Sequence, residues 1–364
     1  MYMKTSSFRV DIDQSVLDDL KSRILATRWL HEDLKELADH WAGDFDWRKT
    51  EAAINAYPQF ITEIDGYKIH YLHIKSGSAA ALPVIISHGW PGSFLEMLRV
   101  IPLLTTDFNL VIPSLLGFGF SDKPKGPGVN ATLMAGLWVK LMRELGYEEF
   151  IAQGGDFGAM ISTRMAMNYP EHLLGLHLNY IPFSYQPYLP PGEELTAAEK
   201  EAQQQITEFF KAEGAYAQVH TTKPKVLSYG LNDSPAGLCA WLLEIFRSFS
   251  DPSRPLEELF NRDELLANVT LYWVTQTIYS SIHLYGEIAK EPFRFGKDDF
   301  IHVPVGIAHY KYPVGFPART YVERGYNVRY WHDMPKGGHF AAMEQPELFA
   351  ADLKAFVKLL TSPA

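Results

Sequence analysis

The stretch Gln153-Gly154-Gly155-Asp156-Phe157-Gly158 sets one carboxylate among three glycines. An apolar run, Phe150 to Ala152, precedes it, and a helical pattern begins at Ala159. Strand, tight turn and helix in that order push the side chain at the apex into an exposed, strained position, which only small neighbours permit. Asp156 is that apex. The position is that of a covalent nucleophile, and the residue more often found there is serine. The carboxylate therefore raises the question of which reaction needs an acyl oxygen rather than a hydroxyl.

Two further segments could serve such a nucleophile. His88-Gly89-Trp90-Pro91-Gly92 follows the buried run Pro83 to Ser87 and precedes a helical stretch. Loops at the strand ends of an open α/β sheet collect into the ligand site, and glycines there can aim backbone N–H groups at a developing negative charge. The N–H groups of Trp90 and of Phe157, the residue after the apex, form a candidate oxyanion hole. Alone, the segment would read as a plain turn; the elbow downstream gives it its meaning. His339 follows the last expected strand and the pair Gly337-Gly338, and of 13 histidines only this one sits where an imidazole reaches back over the sheet edge toward the elbow. A metal site built from His88, His339 and Asp156 is a poor alternative, because no closely spaced His pair supports it.

Positioning these groups takes an alternation of strands and helices. Residues 60–64 and 67–74 alternate around Asp65-Gly66, which predicts a hairpin. Pro83 to Ser87 and Phe108 to Ile112 are continuous apolar runs, as expected of buried parallel strands, separated by a helix around 95–104. A helix over 132–145 ends at Gly146, the elbow follows, a helix runs to Tyr169-Pro170, and Leu173 to Leu178 is a strand. From 181 to about 300 the alternation stops. Pro182 to Pro191 is turn-prone, Thr196-Ala197-Ala198-Glu199 is a capping box, Ser234-Pro235 opens an apolar helix, and one helical region spans 263–287. This is a helical insertion and a candidate lid. Strands return at 303–309 and 326–331, and an amphipathic helix closes the chain. Ahead of the sheet, Asp13 caps a helix to Leu25, Trp29, Trp41 and Trp47 lie in a loop as anchors of an N-terminal extension, and a short helix runs from Arg48 to Ala56. The divisions are 1–60 extension, 61–180 first part of the core, 181–300 lid and 301–364 second part of the core.

Composition narrows the function classes. The 364 residues are 47% hydrophobic and 21% charged, ordinary for a soluble globular protein, with room for one large core or two ordinary ones. The formal net charge of -10, with no basic patch, argues against nucleic acid or an anionic membrane as partner. The single cysteine, Cys239, lies in an apolar helical run, excludes an intrachain disulfide framework and fits a reducing compartment. No signal peptide or membrane span is legible, so the expected location is the cytoplasm.

The motifs together resemble the microsomal-type epoxide hydrolases: the Trp-bearing helical extension, His88-Gly-Trp-Pro-Gly-Ser93, Gly117-Phe-Gly-Phe-Ser121, Gly154-Gly-Asp-Phe-Gly158, Leu231-Asn-Asp-Ser-Pro235, Asn268-Val-Thr-Leu-Tyr-Trp273 and Gly337-Gly-His-Phe-Ala-Ala342. The match covers nearly the full length, and the combination is specific where each piece is weak. It implies an α/β-hydrolase fold: a mostly parallel sheet flanked by helices, with the extension and the lid. It also implies hydrolysis of an epoxide to a vicinal diol without a cofactor or metal, on a small, mostly apolar epoxide. The membrane anchor of some animal relatives has no counterpart here, and a homodimer stays open.

The carboxylate now has a reason. Attack on an epoxide carbon leaves an alkyl ester on Asp156, which water activated by His339 can cleave at the carbonyl; serine would leave an ether. The family supplies the proton for the departing alkoxide from two lid tyrosines. By local match these are Tyr216, in Gly214-Ala-Tyr216, and Tyr285, in Ser280-Ser-Ile-His-Leu-Tyr285. A lid tyrosine drawn from the 19 in the chain would ordinarily be a packing residue, so only the motif singles these out.

One departure matters. The family's acid partner for the histidine falls at Pro313, and no carboxylate occurs between Val303 and Val322. The family's other acid position falls near Asn179 and is also empty; Glu323, Asp298 and Asp299 are the nearest substitutes in sequence. The acid partner of His339 is therefore unknown. Loss of that group costs about 10⁴-fold in kcat in serine proteases. Two alternatives stay open: another reaction of the same fold, dehalogenation or an epoxide-opening cyclisation, and a non-catalytic ligand-binding relative. Dehalogenases usually carry tryptophan where this chain has Phe157.

Overall fold

The structure, a computed structural model, describes residues 5–124, 126–312 and 316–362. Its strands are β1 (Thr5–Phe8), β2 (Gln59–Ile64), β3 (Tyr67–Ile74), β4 (Leu82–Ser87), β5 (Phe108–Pro113), β6 (Phe150–Gly154), β7 (Leu173–Leu178), β8 (Ile301–His309) and β9 (Tyr326–Asp333). They form one sheet in the order β1-β2-β3-β5-β4-β6-β7-β8-β9. The first three pairings along it are antiparallel and all the others parallel. The β2–β3 hairpin turns at Asp65 and Gly66, with φ 51° and 84°, the left-handed pair that a two-residue turn between twisted strands requires.

Both sheet faces are buried, which explains the unbroken apolar strands. On β4, Ile85 faces one core and Val84 and Ile86 the other; on β5, Val111 opposes Leu110 and Ile112 in the same way. Helices Ala131–Glu144 and Phe157–Asn168 cover the first face, and Ile101–Leu104 and Pro346–Thr361 the second. Because β4 continues to β5 on one side while β6 pairs on its other side, the strand order reverses at β4. Ligands of such sheets bind at that reversal, beyond the C-terminal strand ends.

Several expectations need correction. The helix expected over 95–104 is instead a 3₁₀ turn, Phe94–Met97, and one α turn, Ile101–Leu104. The helical region expected over 263–287 is two helices, Arg262–Thr275 and Ile278–Ile288, broken at Gln276 in the left-handed conformation. Trp41 and Trp47 lie not in a loop but on helices Lys35–Gly43 and Trp47–Asn55. Both are buried, and the Trp41 indole N–H donates to Thr270 Oγ1 at 2.9 Å, tying the extension to helix Arg262–Thr275. The edge strand β1 has no counterpart in the sequence reading. Between β7 and β8 the chain is largely helical, opening with the Thr196–Glu199 capping box. Cys239 is buried, and its thiol is pushed up to about 12 by burial. Among the described residues no helix is long and apolar enough to cross a membrane.

Candidate active site

Asp156 stands between β6 and helix Phe157–Asn168 with φ 50° and ψ −126°. A non-glycine residue held there stores on the order of 1–3 kcal/mol of backbone strain, which the surrounding packing must offset. The packing is tight: a Cβ on Gly158 would fall 1.9 Å from the Ser87 carbonyl oxygen, so only glycine lets the helix start against β4.

The Trp90 N–H donates to Asp156 Oδ1 at 2.9 Å. The Phe157 N–H is in the first turn of its helix, where backbone donors have no intrahelical acceptor. Helix Arg262–Thr275 pins the Trp90 loop from above. Asn268 Nδ2 donates to Pro91 O at 2.8 Å, Ser93 Oγ donates to Asn268 Oδ1 at 2.8 Å, and the Tyr272 hydroxyl donates to Gly92 O at 2.9 Å. The Asn268–Trp273 motif thus fixes the loop that carries the Trp90 N–H. His88 is no ligand or base: its Nδ1 faces Gly89 O at 3.1 Å and its Nε2 accepts from Leu115 N–H at 3.3 Å. Burial pushes its imidazole down to about 4, so it is neutral and holds two backbone segments together.

His339 Nε2 lies 3.3 Å from Asp156 Oδ2. Its backbone N–H donates to Phe249 O at 3.1 Å, and its ring is walled edge-on by Phe340, Phe249 and Tyr180. Behind it, Glu344 accepts from Phe340 N–H at 3.1 Å and closes the turn, with burial pushing its carboxyl up to about 7. Among the described residues, Asp156 is the only carboxylate within 4.0 Å of a His339 ring nitrogen. Pro313, the expected acid position, lies outside the described residues. Glu323 pairs with Arg319 at 2.7 Å, and Asp298 and Asp299 are exposed in a loop where Asp299 accepts from Gly296 N–H. Asn179 is brought to the site as an amide, accepting from Gln153 Nε2 at 2.8 Å.

Tyr216, on helix Ala215–Thr222, and Tyr285, on helix Ile278–Ile288, meet over the elbow with ring centroids 5.9 Å apart. The Trp90 indole stacks on Tyr216 at 5.7 Å, and Phe157 meets Tyr285 at 4.9 Å. Burial first, then the negative charge of Asp156, raises the Tyr216 phenol; burial, Tyr216 and Asp156 raise Tyr285. Both keep their protons near neutral pH and can donate them. His220, one turn beyond Tyr216, was not singled out from the sequence. Its Nε2 accepts from the Trp241 indole at 3.0 Å, its ring is 4.5 Å from Trp90, and burial holds it neutral at about 3. The i, i+4 spacing from Tyr216 was its one sequence signal. Gln153 and Glu96 border Asp156 and His339 in one small cavity, and neither had a signal in the sequence beyond its place in or next to a motif.

The group therefore joins a carboxylate on a strained turn, a backbone donor on one of its oxygens, an imidazole within reach of the other and two protonated phenols near it. A model of the epoxide hydrolase N terminus matches residues 5–97, and one of the alpha/beta hydrolase fold matches residues 83–233. A protein from Stigmatella aurantiaca, provisionally called an epoxide hydrolase, is 39% identical over 95% of this chain and 83% of its own length. Epoxide hydrolase 1 from Sus scrofa is 35% identical over 97% of this chain and 88% of its own. The solved structure of the Aspergillus niger epoxide hydrolase superposes with a TM-score of 0.83 at 31% identity, covering 98% of this chain and 97% of that one. The chain belongs to the epoxide hydrolase family of the α/β-hydrolase fold.

Proposed function

We propose that the protein converts a small, mostly apolar epoxide and water to a vicinal diol through an ester on Asp156. The observation that carries this reading is the placement of Asp156 at the elbow, with Trp90 N–H on Oδ1, His339 near Oδ2 and the phenols of Tyr216 and Tyr285 over it. Asp156 Oδ2 attacks an epoxide carbon, the ring C–O bond breaks, and a tyrosine proton passes to the alkoxide. A water then attacks Cγ and its proton goes to His339 Nε2. Negative charge collects on Oδ1, held by the Trp90 and Phe157 N–H groups. The ester C–O bond breaks, His339 returns the proton to the departing diol oxygen, and the acid proton left on Asp156 passes to the tyrosinate, restoring both the carboxylate and the phenol.

In this reading the helical segment 181–300 is a lid that carries the ring-opening acids. The segment 1–60 is an extension braced against the lid through Trp41 and Thr270. Residues 61–180 and 301–364 form the core. The aromatic surroundings favour an apolar epoxide, and the cellular role is removal of reactive epoxides in the cytoplasm. Among the described residues no carboxylate other than Asp156 lies beside the His339 ring, so the second half-reaction is the slower one. The test is single-turnover reaction with styrene oxide in H₂¹⁸O. The first turnover should place the heavy oxygen on Asp156 and not in the diol, whereas label in the first-turnover diol would mean direct attack of water on the epoxide.

A further inference from the structure

Ester cleavage needs a water that the first half-reaction makes hard to deliver. Once Asp156 is alkylated, the substrate chain fills the side facing Tyr216 and Tyr285. Away from those phenols Asp156 borders a cavity of about 20 Å³, enough for about one water. Its lining includes His339, Gln153, Asn179 and Glu96, and none of it comes from residues 181–300. Gln153 lines this chamber, is 1% exposed and donates to Asn179, yet its Oε1 is buried without a hydrogen-bond partner. Burying such an oxygen unpaired is unfavourable, and a bound water would offset the cost.

Glu96 belongs to two cavities. Besides the chamber behind Asp156 it lines a larger one of about 320 Å³, rimmed by Lys49 and Ala53 of the extension, Arg99, and Glu264 of helix Arg262–Thr275. The carboxyl folds back onto the Trp90 loop: a Cβ on Gly92 would fall 1.5 Å from Glu96 Oε1, so the missing side chain at 92 makes room for it. Burial, then the charge of Asp156, pushes Glu96 up to about 8, against a smaller opposing pull from the Ser93 N–H. It therefore carries a proton at neutral pH and can both donate to and accept from a passing water.

We propose that Glu96 is a positioning residue for ester hydrolysis, passing water from the outer cavity into the chamber where Gln153 holds it against the Asp156 ester. The inference rests on the aspartyl-ester reading above. It gives the N-terminal extension a part in the reaction as one wall of the water's antechamber. The oxygen that attacks Cγ arrives from the core side, gives a proton to His339 and remains in the Asp156 carboxylate, while the diol leaves from the lid side.

The test separates the two half-reactions by rapid-quench mass spectrometry of the full-length protein with styrene oxide. Glu96→Leu turns the shared wall apolar. It should slow ester decay by about tenfold and leave ester formation within about twofold, so that ester accumulates. Glu96→Gln, which keeps a donor and an acceptor, should recover most of the lost decay rate. Ala53→Trp narrows the outer cavity from an exposed helix position and should slow decay by about threefold without changing formation; this variant decides the matter if Glu96→Leu does not fold. Unchanged ester decay in Glu96→Leu or, where that variant does not fold, in Ala53→Trp would overturn the proposal, as would an equal fall in formation and decay. Wild-type protein that forms no ester would instead overturn the reaction assignment, and this proposal with it.

Discussion

The two sides of Asp156 are chemically unlike. Toward the helical segment it faces rings: Trp90, Tyr216, Tyr285 and Phe157, with phenolic protons as the polar groups. Toward the core it faces a space the size of a water, where the amides of Gln153 and Asn179 and the carboxyl of Glu96 stand among the apolar walls of Met97, Phe340 and Phe349. An epoxide is an apolar electrophile that needs one proton at the end of its opening, and the aromatic side suits it. An ester needs water and a base, and the polar side suits that, with His339 at the boundary between the two. On the proposed mechanism one carboxylate would run two steps with opposite solvent needs, each step having its own face.

Substitutions on one side should therefore affect one half-reaction. Asp156→Asn removes the group both halves share and should lower turnover by more than about 10³-fold, with no epoxide-derived ester on the protein, checked by steady-state kinetics and intact mass. Next, His339→Gln should stop the second half alone: one equivalent of epoxide is consumed and the ester persists, with multiple-turnover diol formation down by roughly 10³-fold. Tyr216→Phe and Tyr285→Phe should each slow ester formation by about 10–10²-fold while leaving ester decay nearly unchanged, and the double variant should lose more than either. A tyrosine variant that slowed decay instead would break the division into faces.

The smallest expected effect concerns how the helical segment is fastened. Glu199 is 1% exposed; burial alone would raise its carboxyl, but Arg324, the Thr196 N–H and Thr320 hold it down at about 2, below its ordinary 4.5. A carboxylate depressed in the folded state contributes stability that is full above its unfolded value and disappears as pH falls. Stability should thus drop between about pH 4.5 and pH 2, and Arg324→Met should flatten that part of the acid unfolding curve while lowering stability at pH 7 by about 3 kcal/mol. An acid profile identical to the wild type would show that this contact does not fasten the segment.

The core side of the site was the more legible from sequence because its residues sit on local backbone patterns. Glycines around Asp156, a glycine-bearing loop after a buried strand and a glycine pair before His339 each mark a short turn at a strand end, and turns are written in neighbouring residues. The helical segment was harder. Tyr216 and Tyr285 were found through family motifs alone, since phenols on amphipathic helices look like packing residues. The two helices meeting at Gln276 merged in the sequence reading because no glycine or proline marks the break; a left-handed glutamine gives no such signal. Likewise β1 is four residues of mostly polar sequence at a sheet edge, too short for alternation to register. Gln153 and Glu96 could not be assigned at all, because their chemistry depends on burial supplied by segments far away in the chain.

On the proposed mechanism Asp156 becomes alkylated and is freed slowly. Intact-protein mass spectrometry of the wild type, quenched within milliseconds to seconds of mixing with excess styrene oxide, tests it most directly. A species heavier by one epoxide, mapped to the peptide containing Asp156, should form faster than it decays and disappear when the epoxide is exhausted. Diol formation with no such species at any time, or an adduct on another residue, would contradict it.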